Sequence, residues 1–375
     1  MRGCLGRALK VGALLVLVLV LLGIGTHGGR VALKSAGLLV EVFPTAPVYP
    51  LRLLTGAPTR TEVRYPLGEG ETVADVYRPA GEGVHGALVF YIGIGPERRN
   101  VHVVRLSEAL ARAGVVVMVP VSPELSRFRV VPEEREGVVA AFEYLSSRPY
   151  VDPERVGIMG VSAGGSLVAV AAEDPRIADR VRLLELFGSY YSAPEVLEAV
   201  TVKSIQVDGR RQEWQPDDVP IEVFQGMLLP MLPEGDRPLL APLFEGKTTD
   251  IPEGLSPDGR RVAELLLNRD PERAPRLIAA LPARMRELLT GISPATRIKE
   301  LRAELFLLHD VDDAIIPFTE SRAFYEGAVN AHDRHLTEIK LFRHVEPSAG
   351  GNPLVLAREA AKLYGHVYGV LLRLV

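Results

Sequence analysis

Hydrophobic positions along this chain follow three rhythms in turn. An uncharged run dense in Leu and Val extends from Val11 to Gly25, behind the basic residues Arg2, Arg7 and Lys10. From Ala36 to Leu54 the chain stays apolar but is broken by Pro44, Pro47 and Pro50. That spacing excludes a second straight spanning helix, because proline lacks the N–H and clashes with the preceding turn. From about residue 60 short apolar runs alternate with helical spacing. Thr61–Leu67 and Thr72–Arg78 read as antiparallel strands around the turn Gly68-Glu69-Gly70. Ala87–Ile92 and Val115–Val119 are continuous apolar runs, as strands buried on both faces require. Residues 101–113 lie between them with helical spacing, and Gly114 supplies a C-cap. Glu133–Ser147 sets Val138, Val139, Phe142 and Leu145 on one helix face. Strand Arg155–Gly160, helix Ser162–Ala172 and strand Arg182–Phe187 follow. This order predicts an α/β fold, a doubly wound and mostly parallel sheet with helices on both faces.

The rhythm stops between about Ser189 and Ala303, where helical patches appear at Ala193–Val200, Ile221–Leu229, Arg260–Leu267, Ala274–Leu281 and Ala283–Thr290. A bare loop of that length does not fit inside a compact domain, so the segment reads as a mostly helical insertion. Sheet rhythm returns with strand Glu304–Leu308, a helix at 319–329, strand Thr337–Phe342 and a closing helix near Leu354–Leu372. The resulting domains are 1–26, an N-terminal transmembrane or signal segment; 27–59, a linker or interfacial segment; 60–188 and 304–375, the core; and 189–303, the insertion.

Basic residues followed by an apolar run are the layout of a signal peptide or an uncleaved signal anchor. No clear Ala-x-Ala site follows, which favours the anchor. The positive-inside bias then puts everything after Thr26 outside the cytoplasm, in a bacterial cell envelope, with secretion as the alternative. At 375 residues, 47% hydrophobic and 24% charged, the chain has ample material for a core. The lone Cys4 excludes an internal disulfide and thiolate metal sites. With 43 basic against 47 acidic residues there is no electrostatic case for nucleic acid. No His-Glu-x-x-His and no strand-linked Gly-x-Gly-x-x-Gly occurs, so neither a metal nor a nucleotide cofactor is implied. The partners expected are a small ester or acyl substrate and, through the N-terminal segment, a membrane.

Chemistry enters at Gly160-Val161-Ser162-Ala163-Gly164-Gly165. The pattern follows a strand and opens a small-residue helix, the setting of a nucleophile elbow. Small neighbours let strand and helix approach closely, and the helix amino end favours the negative charge that develops on the reacting oxygen. A serine hydroxyl needs a base oriented by a carboxylate, in the order Ser, Asp or Glu, His. His309-Asp310-Val311-Asp312-Asp313 follows strand Leu305–Leu308, and Arg343-His344 follows Ile339–Phe342. His344 is the candidate base; His309, His332, His335 and His366 read as surface or packing histidines. One oxyanion donor is expected at the N–H of Ala163 and the second within Gly93-Ile94-Gly95-Pro96. Arg98 and Arg99 beyond that loop read as a solvated basic turn, or as groups facing an anionic substrate.

The segment Val151-Asp152-Pro153-Glu154-Arg155-Val156-Gly157-Ile158-Met159-Gly160 leading into the serine resembles the α/β-hydrolase superfamily, and within it the dienelactone-hydrolase-like and acylpeptidase-like esterases. By that resemblance Asp313 falls at the acid position of His-Gly-x-x-Asp-x-x-Val-Pro, with Ile316-Pro317 matching Val-Pro; Asp310 stands where glycine is usual, and Asp310 and Asp312 remain alternatives. The same comparison makes Ile94 the second oxyanion donor, with Ile92 in place of the usual histidine and Arg343 in place of a glycine before His344. The resemblance spans about residues 60–188 and 300–375 and implies a cap in the insertion. Met227-Leu228-Leu229-Pro230-Met231-Leu232 and Phe244 there either line an acyl pocket or form the cap's own core. It implies a serine hydrolase cleaving carboxylic esters through an acyl-enzyme, with an acyltransferase or peptidase, or a binding protein without chemistry, as alternatives.

Overall fold

The computed structural model describes residues 23, 25–42, 48–95, 97–344, 346–347 and 352–375. Eight strands form one sheet in the order β1-β2-β4-β3-β5-β6-β9-β10. The antiparallel pair β1 (Thr59–Leu67) and β2 (Gly70–Arg78) lies at one edge, and β2 also runs antiparallel to β4 (Val116–Pro120). Strands β3 (His85–Tyr91), β5 (Val151–Val161), β6 (Leu183–Phe187), β9 (Glu304–Asp310) and β10 (Arg334–Ile339) are parallel neighbours. The doubly wound, mostly parallel sheet expected from the hydrophobic pattern is present. Side chains alternate across it: Ala87, Val89 and Tyr91 of β3 point into one core layer, Leu88 and Phe90 into the other.

Part of 27–59 packs against the core: helix α1 (His27–Val42) buries Val31, Ser35 and Leu38, spaced by four and three residues, in the layer that contains Leu88, Phe90, Val103 and Leu371. The short helix α2 (Pro50–Leu54) returns Leu51 to the same layer, and Gly37 lets it approach, since a Cβ there would lie 2.8 Å from the Leu51 side chain. Arg52 Nε closes the corner on the buried Glu41 carboxylate at 2.8 Å. Helices α3 (Val101–Ala113) and α13 (Pro353–Leu374) complete this face. Val11–Gly25 lies outside the described residues apart from Gly23 and Gly25, and among the described residues no helix is long and apolar enough to cross a membrane.

On the opposite face lie α4 (Glu134–Ser146), α5 (Ser162–Ala172) and the insertion. The insertion contains the five expected helices α6 (Ala193–Val202), α7 (Asp218–Leu228), α9 (Pro257–Leu266), α10 (Ala274–Ala279) and α11 (Ala283–Gly291), plus two elements the periodicity does not predict. These are helix α8 (Asp236–Phe244) and a hairpin of β7 (Ser204–Val207) and β8 (Arg210–Glu213), turned by Asp208-Gly209 with both φ values positive. Asp-Gly is the signal for such a turn. The insertion is tied to the core where it begins: Ser166 Oγ on α5 donates to the Tyr190 carbonyl and accepts from its N–H, at 2.7 and 3.0 Å. Glu320 on α12 (Thr319–Gly327) accepts from Tyr191 and Ser192 N–H at 2.9 and 2.8 Å.

Burial and the nearby Glu195 push the Glu320 carboxyl up to about 8, against the pull of those two N–H donors. A raised carboxyl pKa means that the neutral form suits the fold. Stability from this group is full below its unfolded value of about 4.5 and declines as pH rises towards 8. Glu320→Gln is therefore expected to flatten the loss of urea stability between pH 5 and pH 8.5; an unchanged slope would refute the assignment.

Candidate active site

Ser162 sits where β5 turns into α5, with φ 56°, the left-handed region that costs a non-glycine residue about 1–3 kcal/mol. The surrounding glycines show why the conformation holds. A Cβ on Gly160 would lie 2.4 Å from Gly165 Cα, one on Gly164 2.2 Å from the Ile92 carbonyl, and one on Gly93 2.8 Å from Ser162 Cβ. Helix, strand and the loop after β3 are thus wedged together at distances only glycine permits. As the second residue of α5, Ala163 has an N–H with no partner one turn back. Ile94, the other expected donor, shares a cavity wall with Ser162, Ala163 and Gly93.

Strands β9 and β10 carry the rest. Asp313 is buried, and its Oδ2 lies 2.6 Å from His344 Nδ1. Its Oδ1 accepts from Ile315 and Ile316 N–H at 2.7 and 3.0 Å. Burial alone raises the pKa of this carboxyl, but the charge of His344 and hydrogen bonds from His309 and His344 outweigh it and hold it well below the usual carboxylate range. Among the described residues no hydrogen bond joins Ser162 Oγ to the imidazole. The two line the same cavity, and such bonds are often formed only with substrate in place. Gly188, at φ 59°, leaves room for the imidazole, since a Cβ there would meet it at 3.2 Å.

The alternative acids have other partners. Asp312 is exposed and faces Lys340 Nζ at 3.6 Å. Asp310 is fully buried, and its carboxylate accepts from the N–H groups of Leu341 and Phe342 at 2.8 and 2.7 Å and from Asp312 N–H at 2.9 Å. Strand β10 accordingly ends at Ile339 rather than at Phe342, because Asp310 captures the next donors and swings the chain out. His344 follows at φ 58°, so serine and histidine both stand in left-handed backbone.

Three other roles differ from the sequence reading. His309 is no bystander: its Nε2 is 3.2 Å from Asp313 Oδ2 and 3.0 Å from the Ile316 carbonyl, while Nδ1 is 2.6 Å from Ser321 Oγ. Its place four residues before Asp313 was the available signal. Trp214, just after the cap hairpin, donates from Nε1 to the Asp313 carbonyl at 2.8 Å. Arg98 and Arg99 face no substrate space; they pair with the buried Asp75 and with Glu62, pinning the loop after β3 to the edge hairpin. His332 is exposed, His335 pairs with Glu304, and His366 with Glu185. Glu304, Asp333 and His335 bring metal-type donor atoms together, but Arg373 already pairs with Glu304 there. In the insertion Met227 lines the cavity, whereas Leu228, Leu232 and Phe244 are buried in the core.

Asp310→Ala removes the carboxylate that accepts from Leu341, Phe342 and Asp312 N–H around the histidine loop. The expected result is a stability loss of about 1–3 kcal/mol in urea unfolding and a fall in kcat of at least ~10-fold with KM little changed. Unchanged kcat would show that the loop holds His344 without this carboxylate.

A family model described as the prolyl oligopeptidase family matches residues 133–177, the stretch from α4 through the elbow to the end of α5. A search of curated proteins gave no match. Among solved structures, a puromycin-hydrolyzing peptidase from Mycobacterium tuberculosis is 18% identical, with TM-score 0.50, over 87% of this chain and 41% of that one. An acylaminoacyl peptidase from Pyrococcus horikoshii is 14% identical, with TM-score 0.48, over 84% and 42%. A dienelactone hydrolase from Anabaena variabilis is 14% identical, with TM-score 0.44, over 83% and 97%. The chain thus spans about two-fifths of the length of these peptidases. Sheet order and elbow, with the likeness to the puromycin-hydrolyzing peptidase, give the chain the α/β-hydrolase fold.

Proposed function

We propose that the protein is a serine hydrolase that cleaves carboxylic esters through an acyl-enzyme. The observation that carries this reading is a serine in left-handed backbone at a helix amino end, sharing one cavity with a histidine already bound to a buried carboxylate. In this mechanism Ser162 Oγ attacks the ester carbonyl as His344 Nε2 takes its proton. Asp313, on Nδ1, fixes the tautomer and stabilises the imidazolium. The N–H groups of Ala163 and Ile94 receive the oxyanion, each donor supplying about 2.7–4 kcal/mol. Collapse expels the alcohol, which takes the proton from His344. A water then adds to the acyl-enzyme by the same route and releases the acid. His309 and Trp214 hold the acid from its other sides, through its carboxylate and its carbonyl.

The prolyl oligopeptidase match over the elbow favours a second reading in which the scissile bond is an amide. The two separate on whether p-nitrophenyl esters or acyl-peptide amides turn over with the larger kcat/KM. We also propose a membrane-anchored catalytic domain outside the cytoplasm, supported by the basic and apolar N terminus. Removing residues 1–26 is expected to shift the protein from the membrane to the soluble fraction.

A fluorophosphonate probe is expected to label the wild type at Ser162 and to leave Ser162→Ala unlabelled. Asp313→Asn is expected to lower kcat about 10⁴-fold. Folded wild type that resists the probe would overturn the proposal.

A further inference from the structure

The cavity at Ser162 is larger than the site needs, about 1460 Å³ against roughly 300–1,000 Å³ for most ligand pockets. It has two arms. The upper arm runs under the cap, past Tyr190, Val223, Phe224 and Met227. The lower arm leaves over Ile92, Val161 and Phe187 at the strand ends and enters the layer beneath the sheet. There its walls are Leu88 and Phe90 of β3, Leu106 and Leu110 of α3, and Val367 and Leu371 of α13, roofed by Leu38 and Val42 of α1. Along the strand the lining runs from Ile92 to Leu88, about 13 Å, and along the helix from His102 to Leu110, about 12 Å.

Polarity is graded along this arm. Asn100, His102 and Arg105 stand at its mouth, and Arg105 Nη1 is buried with no hydrogen-bond partner among the described residues. Deeper in, the polar groups Glu185 and His366 satisfy one another at 2.9 Å, with Thr337 Oγ1 on the other ring nitrogen, and the remaining surface is aliphatic or aromatic. A largely apolar arm beneath a polar mouth fits a flexible hydrocarbon chain with an oxygen-bearing head.

We infer that the lower arm is a tunnel for a long unbranched acyl chain, which makes the substrate a long-chain ester; this rests on the hydrolase reading above. The carbonyl carbon lies at Ser162 Oγ and the chain descends between the sheet and α1, so the N-terminal helix is part of the binding site. Each methylene buried adds about 0.8 kcal/mol of transfer free energy, so chain length governs kcat/KM.

The test compares p-nitrophenyl butyrate with the dodecanoate, below micelle concentrations, in wild type and in Leu106→Trp, which fills the lower arm. Wild type is expected to prefer dodecanoate by at least ~10-fold, and the variant to lose that preference, read as the ratio of the two kcat/KM values. Val367→Phe serves as a second block where the first fails to melt cooperatively. In parallel, cis-parinaric acid is titrated into folded Ser162→Ala, with and without Leu106→Trp; dodecanoate, not butyrate, is expected to displace it. Loss of both esters alike, or no parinarate binding by folded protein, overturns the tunnel. Parinarate binding blocked by Leu106→Trp, in a wild type that hydrolyses neither ester, keeps the tunnel and overturns the hydrolase reading.

Discussion

The close approach of one helix to one strand governs this site. Gly160, Gly164 and Gly165 bring α5 so near β5 and the loop after β3 that no larger residue fits, and Ser162 is held in a left-handed conformation as a result. The strain of about 1–3 kcal/mol persists only because the packing around it is over-determined. What that strain achieves is position: the hydroxyl stands clear of the sheet at the amino end of α5, where a dipole of roughly half a charge awaits an oxyanion. Of the five non-glycine residues with positive φ among the described residues, Phe128, Ser162 and His344 line the cavity, while Lys203 ends a helix and Asp208 turns a hairpin. Strain in this fold is concentrated where chemistry is proposed.

The two buried aspartates divide one task. Asp313 addresses the imidazole and is pulled towards ionisation by it, whereas burial pushes the Asp310 carboxyl up, opposed by its backbone donors. Asp310 therefore acts on chain geometry: by taking the donors of Leu341 and Phe342 it ends β10 and sets the turn that delivers His344. The departure from glycine at this position has a structural reason. A carboxylate can stand there because three N–H groups converge on it.

Legibility from sequence followed the physics of each element. The sheet strands and α3, α4 and α5 were readable because parallel strands are apolar on both faces and the helices between them show apolar faces, α3 also ending on Gly114 at φ 104°. The elbow was readable because its geometry demands glycine at fixed places. What stayed hidden depended on contacts distant along the chain. The end of β10 is set by Asp310, thirty-odd residues earlier; the hold on Asp313 comes from Trp214, 99 residues earlier. Helix α1 was hidden because Pro44, Pro47 and Pro50 break the apolar stretch that it begins, and its burial depends on a layer built from residues beyond 85. His309 was misjudged for a related reason, since its neighbours Ser321 and Ile316 fold back onto it only in three dimensions.

The docking of α1 changes how the two ends of the chain relate to the site. In a minimal parallel-sheet fold the face opposite the elbow is closed by helices following the first and last core strands, here α3 and α13, which pack directly on the sheet. Helices α1 and α2 pack beside them, and the cavity lining includes Phe90 and Met159 on this face. Packing alone would disfavour such a void, because dry cavities forfeit dispersion contacts on every wall. A folded chain tolerates it most readily when something apolar occupies it for part of the working cycle.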